Sequence, residues 1–188
     1  MTSLAAGRRS FLRVLLAGLA GALPAAATAQ EDAAVLERRV KGALLYRFIA
    51  YVEWPDAAFP RPDSPYVIGI LGNDALATEL QAFTAGRTVE KRPVTVRRLR
   101  ATDSLKDLHL LFVAGSETHQ LERIVRGAGA TLIVTESPGA LQQGSVINFT
   151  VVNDQVRFDI SLDSARSRNL RLSSRLLSVA HAVRPATP

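Results

Sequence analysis

Short apolar runs bounded by glycine, proline and polar turns alternate with amphipathic stretches through most of this 188-residue chain, which predicts an α/β domain. Three observations carry the prediction. The runs 66–71 (YVIGIL), 109–114 (HLLFVA) and 131–135 (TLIVT) are apolar almost throughout, as strands buried on both faces of a parallel sheet must be. Stretches with one apolar helical face lie between them. Near the C-terminus, 146–152 and 156–162 flank the polar turn Asn153-Asp154-Gln155, the pattern of an antiparallel hairpin. Together these predict one mostly parallel, twisted sheet with helices on both faces and an antiparallel hairpin near the C-terminus.

The first 29 residues stand outside that domain. Arg8-Arg9 precedes Phe11-Leu12, a short alanine-rich apolar run follows, and Ala27-Thr28-Ala29 supplies the small residues of a cleavage site. This is the pattern of an export signal, with the paired arginine favouring the twin-arginine route. A permanent membrane helix needs about twenty strongly apolar residues, more than this run offers. The mature chain is expected from about Gln30, with the folded domain over 30–184 and a frayed tail at 185–188.

Within the domain, Leu36, Val40, Leu44, Phe48 and Val52 recur every four residues, with Leu45 and Ile49 widening the stripe. That spacing predicts a helix with one broad apolar face, closed by Trp54-Pro55 because proline cannot extend it. Pro60, Pro62 and Pro65 then stiffen a loop before the strand 66–71. Gly72-Asn73-Asp74 turns into a helix carrying Leu76, Leu80 and Phe83 on one face, with Asn73 or Asp74 as its cap. A second strand is expected over 94–99 (VTVRRL), surrounded by Arg87, Lys91, Arg92, Arg97, Arg98 and Arg100. After the strand 109–114, Gly115-Ser116-Glu117 opens a helix that Ser116 is placed to cap, with Leu121, Ile124 and Val125 inward. Residues 138–142 suggest one helical turn. Past the hairpin, Asp163 is expected to cap a short helix that Asn169 ends in a left-handed conformation. Leu172, Leu176, Leu177, Ala180 and Val183 predict a last helix, begun at Ser173-Ser174.

Composition narrows the function classes. Removal of Arg8, Arg9 and Arg13 with the leader lowers the net charge from +6 to +3, without the domain-wide basic excess of a nucleic-acid binder. No cysteine is present, so thiol catalysis, redox switching and disulfides play no part. His109, His119 and His181 lack the close spacing of a metal motif, and no metal or cofactor is expected. Gly72 stands without a glycine-rich fingerprint, which argues against a dinucleotide site. Ser116 has no base fixed beside it by the sequence, so no catalytic residue is assigned.

Seven pieces in order then carry a resemblance: VKGALLYRFIAYVEWP, YVIGILGND, KRPVTVRRL, HLLFVAGSE, TLIVTESPGALQQGSVINF, VRFDISLDSAR and LRLSSRLLSVA. The chain resembles the YfiR family of exported bacterial proteins over nearly all of its mature length. The resemblance implies a non-enzymatic periplasmic regulator that represses a membrane-anchored diguanylate cyclase and so lowers cyclic di-GMP. It also implies release by an outer-membrane lipoprotein and a homodimeric state. Leu108-His109 stands where relatives often carry cysteine, and Gln142-Gln143-Gly144 replaces a more glycine-rich turn. Neither redox sensing nor a backbone-lined pocket at that turn is therefore carried over.

A regulator of this kind needs large apolar and arginine side chains to hold its partner. Tyr51, Trp54 and Phe59 are the candidates at the end of the opening helix, with Arg92, Arg97 and Arg98 steering the encounter. The alternative is a small-ligand module feeding another membrane sensor. In an open α/β sheet its crevice lies at the strand carboxyl ends, here marked by Asn73, Ser116, Glu117 and Glu136.

Overall fold

The computed structural model describes residues 23–185, with side chains from Gln30 onward. Residues 1–22 of the expected leader and 186–188 of the expected tail lie outside the described residues. The chain divides into two units, residues 1–36 and 37–188. Of the first, what is described is the opening part of helix α1 (Leu23–Ala50), which runs on into the second.

In the second unit, α1 places Leu45, Phe48 and Ile49 in the core, as the stripe predicts, whereas Val52 falls in the following strand; in the first unit Leu36 is exposed. It stops at Tyr51, whose N–H donates to the Phe48 carbonyl. Strand β1 (Val52–Glu53) leads through a short 3-10 turn to β2 (Tyr66–Leu71). Helix α2 (Asp74–Thr84) follows, capped by the Asn73 side chain, which accepts from the Leu76 N–H at 2.9 Å. The hairpin of β3 (Thr88–Val89) and β4 (Arg92–Leu99) turns at Glu90 and Lys91, both with positive φ. Strand β5 (Leu110–Val113), a 3-10 segment, α3 (Leu121–Gly127) and β6 (Leu132–Thr135) come next. Then β7 (Ile147–Val152) and β8 (Gln155–Ser161) pair about Asn153-Asp154, whose positive φ angles are those of a tight hairpin turn. Helix α4 (Leu162–Arg166), β9 (Arg171–Leu172), α5 (Ser174–Val179) and β10 (Ala182–Arg184) end the described chain.

The main sheet has the order β10-β8-β7-β6-β5-β2-β4-β3. Strands β4, β2, β5, β6 and β7 are parallel, β8 is antiparallel to β7, and β3 is antiparallel to β4. The predicted fold class therefore holds. Successive side chains of the central strands feed opposite cores. Ile68, Ile70, Leu110, Phe112, Leu132 and Val134 pack with α1 and α2 on one face. Leu111, Val113 and Ile133 pack on the other against Leu121 and Ile124 of α3.

Several local expectations are corrected. The predicted last helix is instead β9, the six-residue α5, and β10, so Leu172 and Val183 are strand residues. Residues 138–142 form turns. The cap of α4 is Ser161, not Asp163, with its hydroxyl accepting from the Ser164 N–H. Ser116 caps nothing: it lies inside the 3-10 segment, whose N-cap is Ala114. A two-stranded ribbon of β1 and β9, unforeseen, pairs Val52 with Leu172 and Glu53 with Arg171.

Candidate functional site

Trp54 follows β1 and is carried to the start of the central strands β2 and β5, where it is 9 % exposed. Its indole N–H donates to the His109 carbonyl at 3.0 Å, as buried tryptophan requires. Tyr66 meets it edge-on at 5.6 Å. His109, itself buried, closes the box: Phe59 stacks on it at 4.5 Å, and Trp54 and Tyr66 approach it edge-on. Arg92 completes the stack, its guanidinium 4.1 Å over the Phe59 ring. Its Nη1 also donates to the carbonyls of Arg61 and Ser64. The structure thus brings together Trp54, Phe59 and Arg92 around a histidine that the sequence reading left as an isolated strand residue.

His109 is built into the backbone as well. Its N–H donates to the Val67 carbonyl at 2.9 Å, and its Nδ1 accepts from the Val67 N–H at 3.1 Å. The ring proton therefore sits on Nε2, which has no hydrogen-bond partner of good geometry. Burial pushes the imidazole below its ordinary pKa, and Arg92 adds to this; the Ala58 carbonyl and Asp107 oppose it.

The other predicted partner residues sit elsewhere. Tyr51, half-buried, lies in a groove of about 380 Å³ between α1 and α5, with the Arg175 guanidinium 6.0 Å from its ring. Arg97 and Arg98 are neighbours on a strand and so face opposite sides of the sheet. Arg97 reaches the Lys106 and Ser104 carbonyls at 3.3 Å. Arg98 pairs with Asp74 at 3.3 Å and donates to the Thr78 hydroxyl at 2.7 Å. The arginines contiguous in sequence are thus split over two faces.

The four crevice residues do converge at the carboxyl ends of β2, β5 and β6. Gly72 has φ +81, and a Cβ there would lie 2.6 Å from Glu117 Cγ and 3.1 Å from Ser116 Oγ, so only glycine lets the two turns meet. Glu117 accepts from Gln120, while Asn73 is occupied as the α2 cap. Glu136 accepts from the Gly115 N–H at 3.1 Å and from Lys41 Nζ at 2.6 Å. Lys41 also pairs with Glu37. Burial alone would lower the Lys41 pKa, but the hydrogen bonds and charges of Glu136 and Glu37 outweigh it and raise the pKa. His119 Nδ1 contacts the Ser116 carbonyl, at 3.2 Å, rather than its hydroxyl. Among the described residues no cluster of three acidic or histidine side chains is placed to hold a metal, and no helix is long and apolar enough to cross a membrane.

A second, larger groove of about 730 Å³ lies beside the ribbon. Trp54 and Pro55 form one wall, and Leu162, Arg166, Leu170 and Arg171 the other. Sequence reasoning missed it because β1 and β9 are two-residue strands far apart in the chain, too short for any periodic signal.

Fold and surfaces together describe a small open α/β-sheet domain whose accessible features are grooves walled by aromatic and arginine side chains, while its polar strand ends are engaged with one another. The chain belongs to the YfiR/HmsC-like family, whose model matches residues 38–181. Among solved structures it is similar to a conserved domain protein from Vibrio cholerae O1 biovar eltor str. N16961, at 11 % identity and a TM-score of 0.50. The alignment covers 63 % of this chain and 54 % of that one, so the chain spans about half the length of the structure it matches. At that identity the likeness speaks to fold alone. No curated protein matches the chain.

Proposed function

We propose that this chain is a non-catalytic periplasmic regulator that binds the periplasmic part of a membrane-anchored diguanylate cyclase, holds it inactive and so lowers cyclic di-GMP. Membership of the YfiR/HmsC-like family over residues 38–181 is the observation that carries the reading. In it, the half-buried Tyr51 and Phe59 make the contact, Trp54 and Arg92 hold the Phe59 wall in place, and Arg97 and Arg98 add charge at the neighbouring strand. A homodimer does the binding, and an outer-membrane lipoprotein releases it. The test is cyclic di-GMP measured in the native host with and without the gene. Deletion raises the level, and an exported copy restores it; an unchanged level sinks the reading. Mass spectrometry of the periplasmic fraction checks the location, with a mature N-terminus expected near Gln30.

A second reading, a small-ligand module serving another membrane sensor, is favoured by the 730 Å³ groove beside Trp54 and by the convergence of Asn73, Ser116, Glu117 and Glu136. It predicts that a small anionic or aromatic compound raises the melting temperature.

A further inference from the structure

The groove between α1 and α5 has walls that want opposite things. Leu44 and Phe48 lie four residues apart on one face of α1, and Tyr51, just past the end of the helix, continues that wall. Leu176 and Phe158 lie at its base, both buried. Val179 faces them from α5 at 59 % exposure, an apolar side chain left in water at the mouth of an apolar slot. Two arginines flank this slot, Arg47 from α1 and Arg175 from α5, and both are exposed. Several other surface arginines are paired with carboxylates: Arg38 and Arg39 with Glu79, Arg61 with Asp63, Arg98 with Asp74, and Arg126 with Glu122. Among the described residues neither Arg47 nor Arg175 pairs with a carboxylate. Arg175 is steered over the Tyr51 ring, a contact that orients its guanidinium at the groove without using up its hydrogen-bond donors.

We infer that this groove docks an acidic segment of a partner protein: one apolar side chain enters between α1 and α5, and flanking carboxylates pair with Arg47 and Arg175. The planar guanidinium matches a carboxylate through two parallel hydrogen bonds, so two uncommitted arginines across an apolar slot select that chemistry. A nucleic acid would be met by a broad basic face, whereas here two cations bracket a single apolar opening. The inference rests on the reading that the chain acts by contact with another protein, and it assigns that contact a place and a chemistry.

The experiment titrates the isotope-labelled mature chain with two synthetic peptides and follows backbone amide shifts by NMR. One peptide is Gly-Asp-Leu-Glu-Gly and the other its neutral counterpart, Gly-Asn-Leu-Gln-Gly, both blocked at their ends. The acidic peptide is expected to move Arg47, Tyr51, Arg175 and Val179, with the neutral one binding at least tenfold more weakly. The double variant Arg47→Glu/Arg175→Glu, whose sites are exposed, is expected to keep its circular dichroism and melting temperature and to lose the response. The milder pair Arg47→Gln/Arg175→Gln gives the same loss if the charge reversal perturbs folding. Equal binding of both peptides, shifts confined to another face, or a variant that binds as before would each overturn the inference. Cyclic di-GMP separates it from the broader reading. If the wild-type copy lowers cyclic di-GMP and the double variant does so equally, the groove assignment fails and the regulator reading stands. If the wild-type copy has no effect, the regulator reading fails and the peptide titration alone judges the groove.

Discussion

His109 concentrates the physics of this protein at the scale of one side chain. It is buried among Phe59, Trp54 and Tyr66, and its Nδ1 occupies a backbone donor of Val67. Its folded pKa lies below the ordinary value, so near pH 6.5 the unfolded chain binds more protons than the folded one. Stability is therefore full above that pH and falls as the pH drops through it toward the folded pKa. Urea denaturation at pH 7.5 and pH 5 should show this loss, and His109→Phe should flatten it. The same variant should cost about 1–3 kcal/mol at pH 7.5, because the Val67 N–H loses its acceptor. Trp54 belongs to the same unit. Trp54→Ala should destabilise the fold by about 3–5 kcal/mol, as truncation of a large core aromatic does. Trp54→Phe keeps most of the packing and removes the bond to the His109 carbonyl, so its loss should be near 1 kcal/mol. The sequence showed Trp54 as a lone tryptophan at a helix end, a position equally suited to core and surface. Its partner decided the outcome, and that partner lies 55 residues away.

At the scale of elements, the strands were legible where burial on both faces makes them apolar throughout. The run 66–71 matches β2 residue for residue. Within it Gly69 marks a close approach: an added Cβ would lie 2.6 Å from Leu99 Cδ1 and 3.0 Å from Leu108 Cδ1. Gly69→Val should cost about 1–3 kcal/mol by overpacking, measured as a fall in the denaturation midpoint. The C-terminal stripe misled for a definite reason. Positions 172, 176, 180 and 183 repeat at helical spacing, but Leu172 is held by Val52, Ser173 caps a helix of six residues, and Ala180 is already extended. Long-range pairing overrode local periodicity there. Arg168 carries no periodic signal at all, yet it is buried and donates to the carbonyls of Val125 and Gly129 at the end of α3. Arg168→Met should leave both carbonyls unpaired and cost about 1–3 kcal/mol. Lysine lacks the forked geometry needed to serve both, so Arg168→Lys should restore little.

Across the whole molecule, alternation of strands and helices sufficed to predict a mostly parallel sheet, because parallel neighbours demand crossover helices. It did not reveal which strands stand at the edges, since edge strands of two or three residues leave no pattern. The candidate site was legible in part for the same reason. Asn73, Ser116, Glu117 and Glu136 each follow a strand in the sequence, and these turns do meet at the strand ends. The arginines were grouped by sequence, whereas strand geometry sends Arg97 and Arg98 to opposite faces. One edge is closed by β10, which pairs parallel to β8 through Ala182, Val183 and Arg184. A chain ending at His181 would leave β8 without that cover, and an uncovered edge is a template for pairing with another chain. Light scattering of the shortened protein should show concentration-dependent association beyond the dimer proposed for the full chain.

The box around His109 has an optical consequence. Trp54 is the chain's single tryptophan, and its ring stands edge-on to that imidazole at 5.9 Å. A protonated imidazole in contact with an indole quenches its emission, whereas a neutral one does so far less. Intrinsic fluorescence therefore reads out the charge on one buried histidine, with no other indole to blur it. The same signal registers anything that settles in the groove Trp54 walls, which makes the protein a reporter of its own occupancy.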